Sequence, residues 1–202
     1  HCVTGIRERL GANVLLHHVP LGSHDEFVGM CDLIENVAYI WKEEGKDSPW
    51  ETIPLDQVKS RFNFATSRDN DWIDELPKLR QDALETALAL DDDAFMTFVE
   101  TGEFDPAMLK ACIRKGTVTG QLVPVFCGSS FKNKGVQQLL DAVIAYMPYP
   151  GENGGISMVD PDGNIIGTQE VSDDAPARAL AFKVINDQFG TLTFARIYSG
   201  VI

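Results

Sequence analysis

The sequence of 202 residues has few basic side chains, 17 Lys and Arg against 30 Asp and Glu, which gives a formal net charge of -13. Proteins that bind a nucleic-acid backbone through a broad basic face use Lys and Arg to displace its counterions. The charge therefore argues against that class and favours a basic protein partner. The four cysteines form no C-x-x-C pair, which predicts reduced thiols in a cytosolic-type compartment. The sequence shows no signal peptide, transit sequence or long apolar span.

The composition is 44% hydrophobic, enough for a chain of this length to bury a substantial core. The most informative segment is 121–147, where an apolar run through Phe126 is followed by a turn of small residues from Cys127 to Ser130. Beyond the turn, apolar residues repeat at helical spacing up to Met147, so one face of that helix is expected to lie against a sheet. Strand, turn and helix in this order are typical of the ligand-facing edge of α/β nucleotide-binding domains.

The remaining pattern divides into short elements. At the start, a helix is expected to end at Gly11 with Leu10 facing inward, and a strand over 14–21 is expected to join the sheet of the apolar run at 122–126. The middle predicts a strand pair within 27–41, after which 50–54 either continues the sheet or leads into a helical stretch. It then predicts an amphipathic helix from Asp74 to Leu88 and a helix over 94–101 capped by one of Asp91, Asp92 and Asp93. A further helix is opened by Asp105-Pro106 and closed at Gly116. After Pro150 the sequence predicts a linker with a hairpin turn at Asp162-Gly163, a domain boundary, and two strands around a turn near 187–190.

The segment Cys127-Gly128-Ser129-Ser130-Phe131-Lys132-Asn133-Lys134-Gly135-Val136-Gln137 closely resembles the last guanine-contacting loop of translational GTPases, in the form found in the elongation factor G family. Further blocks resemble that family in the same order, at 9–13, 140–143, 179–183 and 198–200. The resemblance implies an α/β fold: a partial P-loop GTPase-type G domain with an inserted α+β subdomain, followed by the first strands of a β-barrel domain. The implied divisions are 1–22 for the G domain, 23–120 for the inserted subdomain, 121–150 for the last G-domain strand, guanine loop and helix, 151–175 for the linker, and 176–202 for the barrel.

By the same resemblance, the backbone amides of Ser129, Ser130 and Phe131 lie at the guanine edge, and Gly128 permits close approach. The sequence contains no G-x-x-x-x-G-K-[ST] phosphate loop, and the segment from Asn133 imitates the family's Asn-Lys-x-Asp guanine selector without its Asp. The family's switch segments are missing too. The family resemblance nevertheless implies that the parent protein binds GTP or GDP with magnesium. The chain itself, expected to be an excised piece, should neither bind nor hydrolyse GTP appreciably.

The resemblance implies that the parent is a ribosomal translocation GTPase of protein synthesis, acting in the cytoplasm or an organellar matrix and meeting tRNA and mRNA only as a whole protein. The inserted subdomain would contact the basic ribosomal stalk protein through Glu85, Asp91, Asp92 and Asp93. Three alternatives stay open: a merely solvated acidic face, a non-catalytic acidic interaction module, and a divergent member that recycles ribosomes. Truncated sheet edges would also favour self-association.

Two other kinds of site receive little support. A nucleophile at Cys127 or Ser129 would need a nearby base, whereas His17 and His18, as neighbours on one strand, are expected to face opposite sides. The triplet from Asp160 to Asn164 imitates the start of a calcium loop but lacks the required Gly and the bidentate Glu, so a polar hairpin turn is expected instead. No catalytic and no metal-binding residues are predicted.

Overall fold

The computed structural model describes residues 2–42, 49–64 and 67–202. The chain forms two compact units, one up to Met147 and the other from Pro148 to Ile202. Among the described residues, none of the helices combines the length and the apolar character that a membrane span requires. The mixed helix-and-strand fold class predicted from the sequence is confirmed.

The first unit contains a parallel strand pair and a four-stranded antiparallel sheet. Its strands are β1 (Val14–Leu16), β2 (His18–Leu21), β3 (Gly29–Asp32), β4 (Val37–Trp41), β5 (Trp50–Pro54) and β6 (Val123–Val125). Strands β1 and β6 form the parallel pair, and β2, β3, β4 and β5 lie in that order in the antiparallel sheet. The predicted strand pair is confirmed, and of the two alternatives for 50–54 the structure shows the one in which this segment continues the sheet.

The helices of this unit are α1 (Cys2–Leu10), α2 (Val58–Arg61), α3 (Ser67–Leu88), α4 (Asp92–Thr101), α5 (Pro106–Val118) and α6 (Val136–Tyr146). The core joins apolar residues of α3 and α5 to the strands, and includes Leu15, Leu33, Leu88, Leu109 and Ile113. The predicted caps are confirmed: the Asp91 carboxylate accepts a hydrogen bond from the Ala94 amide, and Asp105 does the same for Ala107.

Three details of the prediction are wrong. The segment 14–21 is not one strand, because β1 pairs with β6 whereas β2 pairs with β3 in the other sheet. Leu10 is 75% exposed rather than inward. Gly116 lies buried inside α5 rather than at its end, and a Cβ there would come within 2.4 Å of Leu90 Cδ1. Close packing therefore explains this glycine, and helix termination does not.

The apolar face predicted on α6 is present but is largely uncovered by the described residues. Tyr146 is the one residue of α6 that is buried, whereas Leu140 and Val143 are exposed and Ile144 is 79% exposed. The expectation that a sheet covers this face is therefore wrong for the part of the chain that the structure describes.

The second unit consists of two antiparallel hairpins. They are built from β7 (Ile156–Val159), β8 (Ile165–Gln169), β9 (Arg178–Asp187) and β10 (Gly190–Ser199). The first hairpin turns where predicted, with the Asp160 carboxylate accepting hydrogen bonds from the Asp162 and Asn164 amides. The carboxylate thus closes a polar turn, as expected. The second hairpin confirms the strands predicted on either side of 187–190.

Candidate functional site

The loop from Cys127 to Gly135, called here the 127–135 loop, leaves the carboxyl end of the parallel strand pair. The pair is extended at both ends, because the Val123 amide donates to the Asn13 carbonyl (2.8 Å) and the His17 amide donates to the Val125 carbonyl (3.0 Å). Loops at the carboxyl ends of parallel strands are where α/β proteins bind ligands. The predicted loop therefore lies at the edge where a ligand would be expected.

Backbone hydrogen bonds close this loop into a small, defined turn. The Ser129 amide donates to the Lys134 carbonyl (2.8 Å), and the Lys134 amide donates to the Ser129 carbonyl (3.0 Å). Within this bridge, the Lys132 amide donates to the Ser129 carbonyl at 3.2 Å. Asn133 takes a left-handed conformation with φ of 51°, which asparagine tolerates better than most residues. The loop thus has a fixed backbone path before any ligand arrives.

Gly128 is required by the closeness of the two sides of the loop. A Cβ on Gly128 would lie 2.6 Å from the Lys134 carbonyl oxygen, the atom that accepts the Ser129 amide. Any larger residue would therefore push apart the bridge between Ser129 and Lys134. Close approach of Gly128 to guanine stays a prediction, because the close approach that the structure shows lies within the loop itself.

Lys134 anchors the loop to the antiparallel part of the unit, a role that sequence reasoning missed. Its side chain is buried, its Nζ donates to the Phe27 carbonyl (3.1 Å), and the same ammonium lies 5.7 Å from the centroid of the Phe27 ring. A buried ammonium requires such partners. The sequence signal for this role is the position of Lys134 inside the 127–135 loop, where the residue imitates the lysine of the guanine selector.

The structure separates the candidate ligand-binding amides into two groups. The Ser129 amide is used inside the loop, whereas the amides of Ser130 and Phe131 donate to no group among the described residues. Ser130 is exposed, and the Phe131 side chain is 99% exposed. Two neighbouring backbone donors are thus free to reach a ligand, and binding at Gly128, Ser129, Ser130 and Phe131 stays a prediction.

The prediction that His17 and His18 face opposite sides is wrong. Because β1 ends at Leu16 and β2 begins at His18, His17 lies at the joint between two sheets, where strand alternation does not apply. His17 Nδ1 lies 3.5 Å from Asp32 Oδ1, and His18 Nε2 lies 3.3 Å from Asp32 Oδ2. Both imidazoles pack against Phe126, with ring centroids 4.5 and 4.9 Å away.

Burial shifts the pKa values of His17 and of the nearby Cys127 thiol, whereas at Asp32 neighbouring groups overcome its effect. Burial lowers the pKa of His17 to about 4, against an opposing effect of the Asp32 charge. Although burial alone would raise it, the hydrogen bond from His18 and the charge of His17 hold the pKa of Asp32 below its usual value. Burial raises the pKa of Cys127 to about 12, so this thiol is protonated at neutral pH and is a poor nucleophile.

The acidic residues predicted to meet a partner have different roles in the fold. Asp91 is half-buried and caps α4, so its carboxylate is already engaged. Asp92 and Asp93 are exposed in the first turn of α4, where negative charge favours the helix dipole. Glu85 is exposed on α3 and accepts a hydrogen bond from Gln81 (2.8 Å). Glu85, Asp92 and Asp93 thus remain on the surface.

Comparison with known proteins supports the resemblance of the chain to one family. No family model matches the chain. The chain is 42% identical over 204 residues to Elongation factor G 2 of Vibrio cholerae and 42% identical over 199 residues to Elongation factor G 2 of Saccharophagus degradans, covering 99% and 98% of the chain. Over nearly its whole length, the chain is homologous to proteins named elongation factor G. Elongation factor G of Gluconobacter oxydans is a further relative, 40% identical over 204 residues and 98% of the chain.

The match to elongation factor G relatives runs through both compact units, but the chain spans only 27% of the length of these relatives. Among solved structures, the crystal structure of ttk003000868 from Thermus thermophilus matches with a TM-score of 0.65 and 23% identity. That match covers 98% of this chain and 25% of the other. At this identity the structural match supports the fold alone.

Proposed function

We propose that the chain is the part of a ribosomal translation factor in which the nucleotide-binding domain ends and the next domain begins. In the whole protein, GTP binding and hydrolysis would drive the movement of tRNA and mRNA on the ribosome, in the cytoplasm. The observation that carries this proposal is the 127–135 loop. It combines two unengaged backbone amides with a rigid turn at the carboxyl end of a parallel strand pair.

The chemistry of the bases explains why such a loop would select guanine. Guanine presents an oxygen acceptor at O6, whereas adenine presents an amino donor at the equivalent position. A backbone amide can only donate, so the amides of Ser130 and Phe131 would pair with guanine and repel adenine. Because the donor is main chain, the contact does not depend on the side chain at position 130.

The nucleotide would be held mainly by parts of the protein other than this segment. The 202 residues contain no phosphate loop and no Asn-Lys-x-Asp selector, the elements that hold the phosphates, magnesium and the other guanine edge in GTPases. A single loop leaves most of the nucleotide in water, so the chain alone would not bind or hydrolyse GTP appreciably. GTP and magnesium would belong to the whole protein.

The proposed domain division follows the implied one, with one adjustment. Segment 121–150 would complete the nucleotide domain, and 176–202 would begin the barrel after the linker at 151–175. The pairing of β2 with β3 favours starting the inserted subdomain at His18 rather than at Ser23. Segment 23–120 would remain within it.

A chimera tests the proposal. The chain would replace the aligned segment of an elongation factor G relative, and GDP affinity and ribosome-stimulated GTP hydrolysis would be measured. Ser130→Pro removes one amide at a position that suits proline, because Ser130 is the second residue of the turn closed by the Lys132 amide and the Ser129 carbonyl. Ser130→Ala is the matched control, since it keeps the amide.

We expect the chimera and its Ser130→Ala variant to bind GDP alike. Ser130→Pro should weaken GDP binding about tenfold, the effect of one lost hydrogen bond of roughly 1.4 kcal/mol. A chimera that folds, as judged by its circular dichroism, but binds no guanine nucleotide would contradict the proposal.

The exposed acidic residues support contact with the basic ribosomal stalk protein as a second part of the proposal. Glu85, Asp92 and Asp93 are accessible, whereas Asp91 would serve mainly as a helix cap. Binding of the chain to purified stalk protein should weaken with added salt. Asp92→Asn with Asp93→Asn should weaken it further, and Asp173→Asn with Asp174→Asn, in the second unit, is the charge-matched control. Equal losses from both pairs would contradict this contact.

A further inference from the structure

We infer that His17, His18 and Asp32 form a binding site for one divalent transition-metal ion of the zinc class. Two imidazoles and one carboxylate are a donor set that such ions accept. The three residues reach the site from the joint between β1 and β2, from β2 and from β3. This site is separate from the unengaged amides of the 127–135 loop and is independent of the function proposed above.

The spacing of the donor atoms suits a single ion. One ligand atom from each residue lies within 4.8 Å of the others. The two nitrogen-to-oxygen distances are 3.5 Å from His17 Nδ1 to Asp32 Oδ1 and 3.3 Å from His18 Nε2 to Asp32 Oδ2. Tetrahedral zinc, with bonds of about 2.0–2.1 Å, separates its ligand atoms by about 3.3 Å. The two nitrogen-to-oxygen separations, each to a different oxygen of Asp32, are close to this spacing, and the two imidazole donor atoms, within 4.8 Å of each other, would move to that spacing when the ion binds.

Surrounding groups hold these ligands in place. The Tyr146 hydroxyl oxygen lies 3.1 Å from His17 Nε2, which orients the ring so that Nδ1 faces Asp32. Asp32 Oδ1 accepts hydrogen bonds from the Ile34 and Glu35 amides, both at 2.9 Å, which fixes the carboxylate and leaves Oδ2 towards His18. Such outer contacts to the second nitrogen of a histidine and to a carboxylate are regular features of metal sites.

A buried nitrogen without a hydrogen-bond partner also indicates a ligand at this site. The exposed fractions of His17, His18 and Asp32 are 4%, 2% and 3%. His17 Nδ1 is nevertheless a buried nitrogen with no hydrogen-bond partner among the described residues. Leaving a buried polar atom unpaired is unfavourable, and a metal ion would provide the missing partner.

The site also has room for a further ligand. A cavity of about 290 Å³ is lined by His17, His18 and Asp32 together with Glu35, Lys110 and Asp141, among others. A water molecule could therefore complete a four-coordinate ion with three protein ligands. An ion there would also link His17, whose amide donates to the carbonyl of Val125 in β6, with Asp32 of β3. Metal binding should thus stabilise the joint between the two sheets.

Metal titration of the chain provides the test. The chain, freed of metal with a chelator, would be titrated with zinc chloride by calorimetry and with cobalt chloride by visible absorption. We expect one ion per chain, a cobalt spectrum with the intense visible bands of tetrahedral nitrogen and oxygen coordination, and a higher unfolding temperature with zinc. Absence of binding to the folded chain would overturn the proposal.

Variants locate the ion. His17→Gln and His18→Gln should each weaken zinc binding more than tenfold, and Tyr146→Phe, which removes only the outer hydroxyl, should weaken it about tenfold. His24→Gln, at an exposed histidine of the same unit, should leave binding unchanged. Circular dichroism would verify that each variant is folded. Unchanged affinity in the folded His17 and His18 variants, or loss in the His24 variant, would refute the assignment.

Discussion

Replacing Gly128 by Ala tests whether the 127–135 loop is as tightly closed as the structure shows. The new Cβ would lie 2.6 Å from the Lys134 carbonyl oxygen, whereas ordinary van der Waals contacts begin at 3.4 Å. The oxygen belongs to the backbone and cannot rotate away, so the 2.8 Å bond from the Ser129 amide must lengthen or break. Overpacking and one weakened hydrogen bond together should cost about 2 kcal/mol.

The expected loss of stability can be measured as a fall in the unfolding temperature of the first unit. For a unit of this size, about 2 kcal/mol corresponds to a fall of roughly 4–8 °C in unfolding temperature. Tryptophan fluorescence is the suitable probe, because all three tryptophans, Trp41, Trp50 and Trp72, lie in the first unit. Hydrogen exchange at the Ser129 amide should quicken in the same variant.

Gly5→Ala is the matched control. A Cβ at Gly5 would meet nothing within 4 Å, and Gly5 lies inside α1, where alanine is the better helix former by up to about 1 kcal/mol. This variant should unfold at the same temperature as the unchanged chain or slightly higher. If Gly128→Ala also unfolds at an unchanged temperature, the close approach of Gly128 to Lys134 is not real.

Three further predictions concern the thiols, the acid range and self-association. Iodoacetamide at pH 8 should modify exposed Cys2 at least tenfold faster than Cys127, because burial raises the pKa of Cys127 to about 12. Peptide mass spectrometry would measure both rates, and equal rates would contradict this prediction. The hydrogen bond from Arg61 lowers the pKa of Glu51 to about 2, so the stabilising effect of the Glu51 charge is present above pH 4.5 and lost towards pH 2. In urea unfolding, the Glu51→Gln variant should be less stable than the unchanged chain at pH 6 and equally stable at pH 2. A stability difference that stays constant with pH would contradict this prediction. Ile144→Glu should reduce concentration-dependent association in size-exclusion chromatography, because it breaks the exposed apolar face of α6; a strictly monomeric unchanged chain would argue against any such association.

Local signals in the sequence predicted most helices and strands correctly. The helix opened by Asp105-Pro106 has a cap and a first-turn proline, and both act locally, so no knowledge of the fold was required. The β9 and β10 hairpin was equally accessible, because alternation and turn residues are also local.

The errors arose where a residue's environment depends on distant partners. Gly116 resembled a helix stop, but it lies where Leu90 and Leu122 come close to α5, and neither contact can be read from the helix pattern alone. The apolar face of α6 was correctly recognised, yet which surface covers it is not encoded in the helix itself.

The buried group around Asp32 could not be predicted for a similar reason. Alternation holds only within one strand, and the sequence gives no sign that His17 separates two strands of different sheets. The His17 amide bonds to Val125 and its carbonyl accepts from Leu33, so both long-range contacts are needed to define the joint. The 127–135 loop, by contrast, is recognisable in the sequence because its residues are contiguous, although the internal use of the Ser129 amide is visible only in the structure.

Amide-resolved hydrogen exchange in the elongation factor G chimera, with and without GDP, tests the central claim most directly. Before nucleotide is added, the amides of Ser129 and Lys134 should already exchange slowly, because they bond to each other's carbonyls, and those of Ser130 and Phe131 should exchange fast. GDP should then slow exchange at Ser130 and Phe131, and ADP should not. If GDP binds the chimera and leaves both of these amides exchanging fast, the 127–135 loop does not contact guanine.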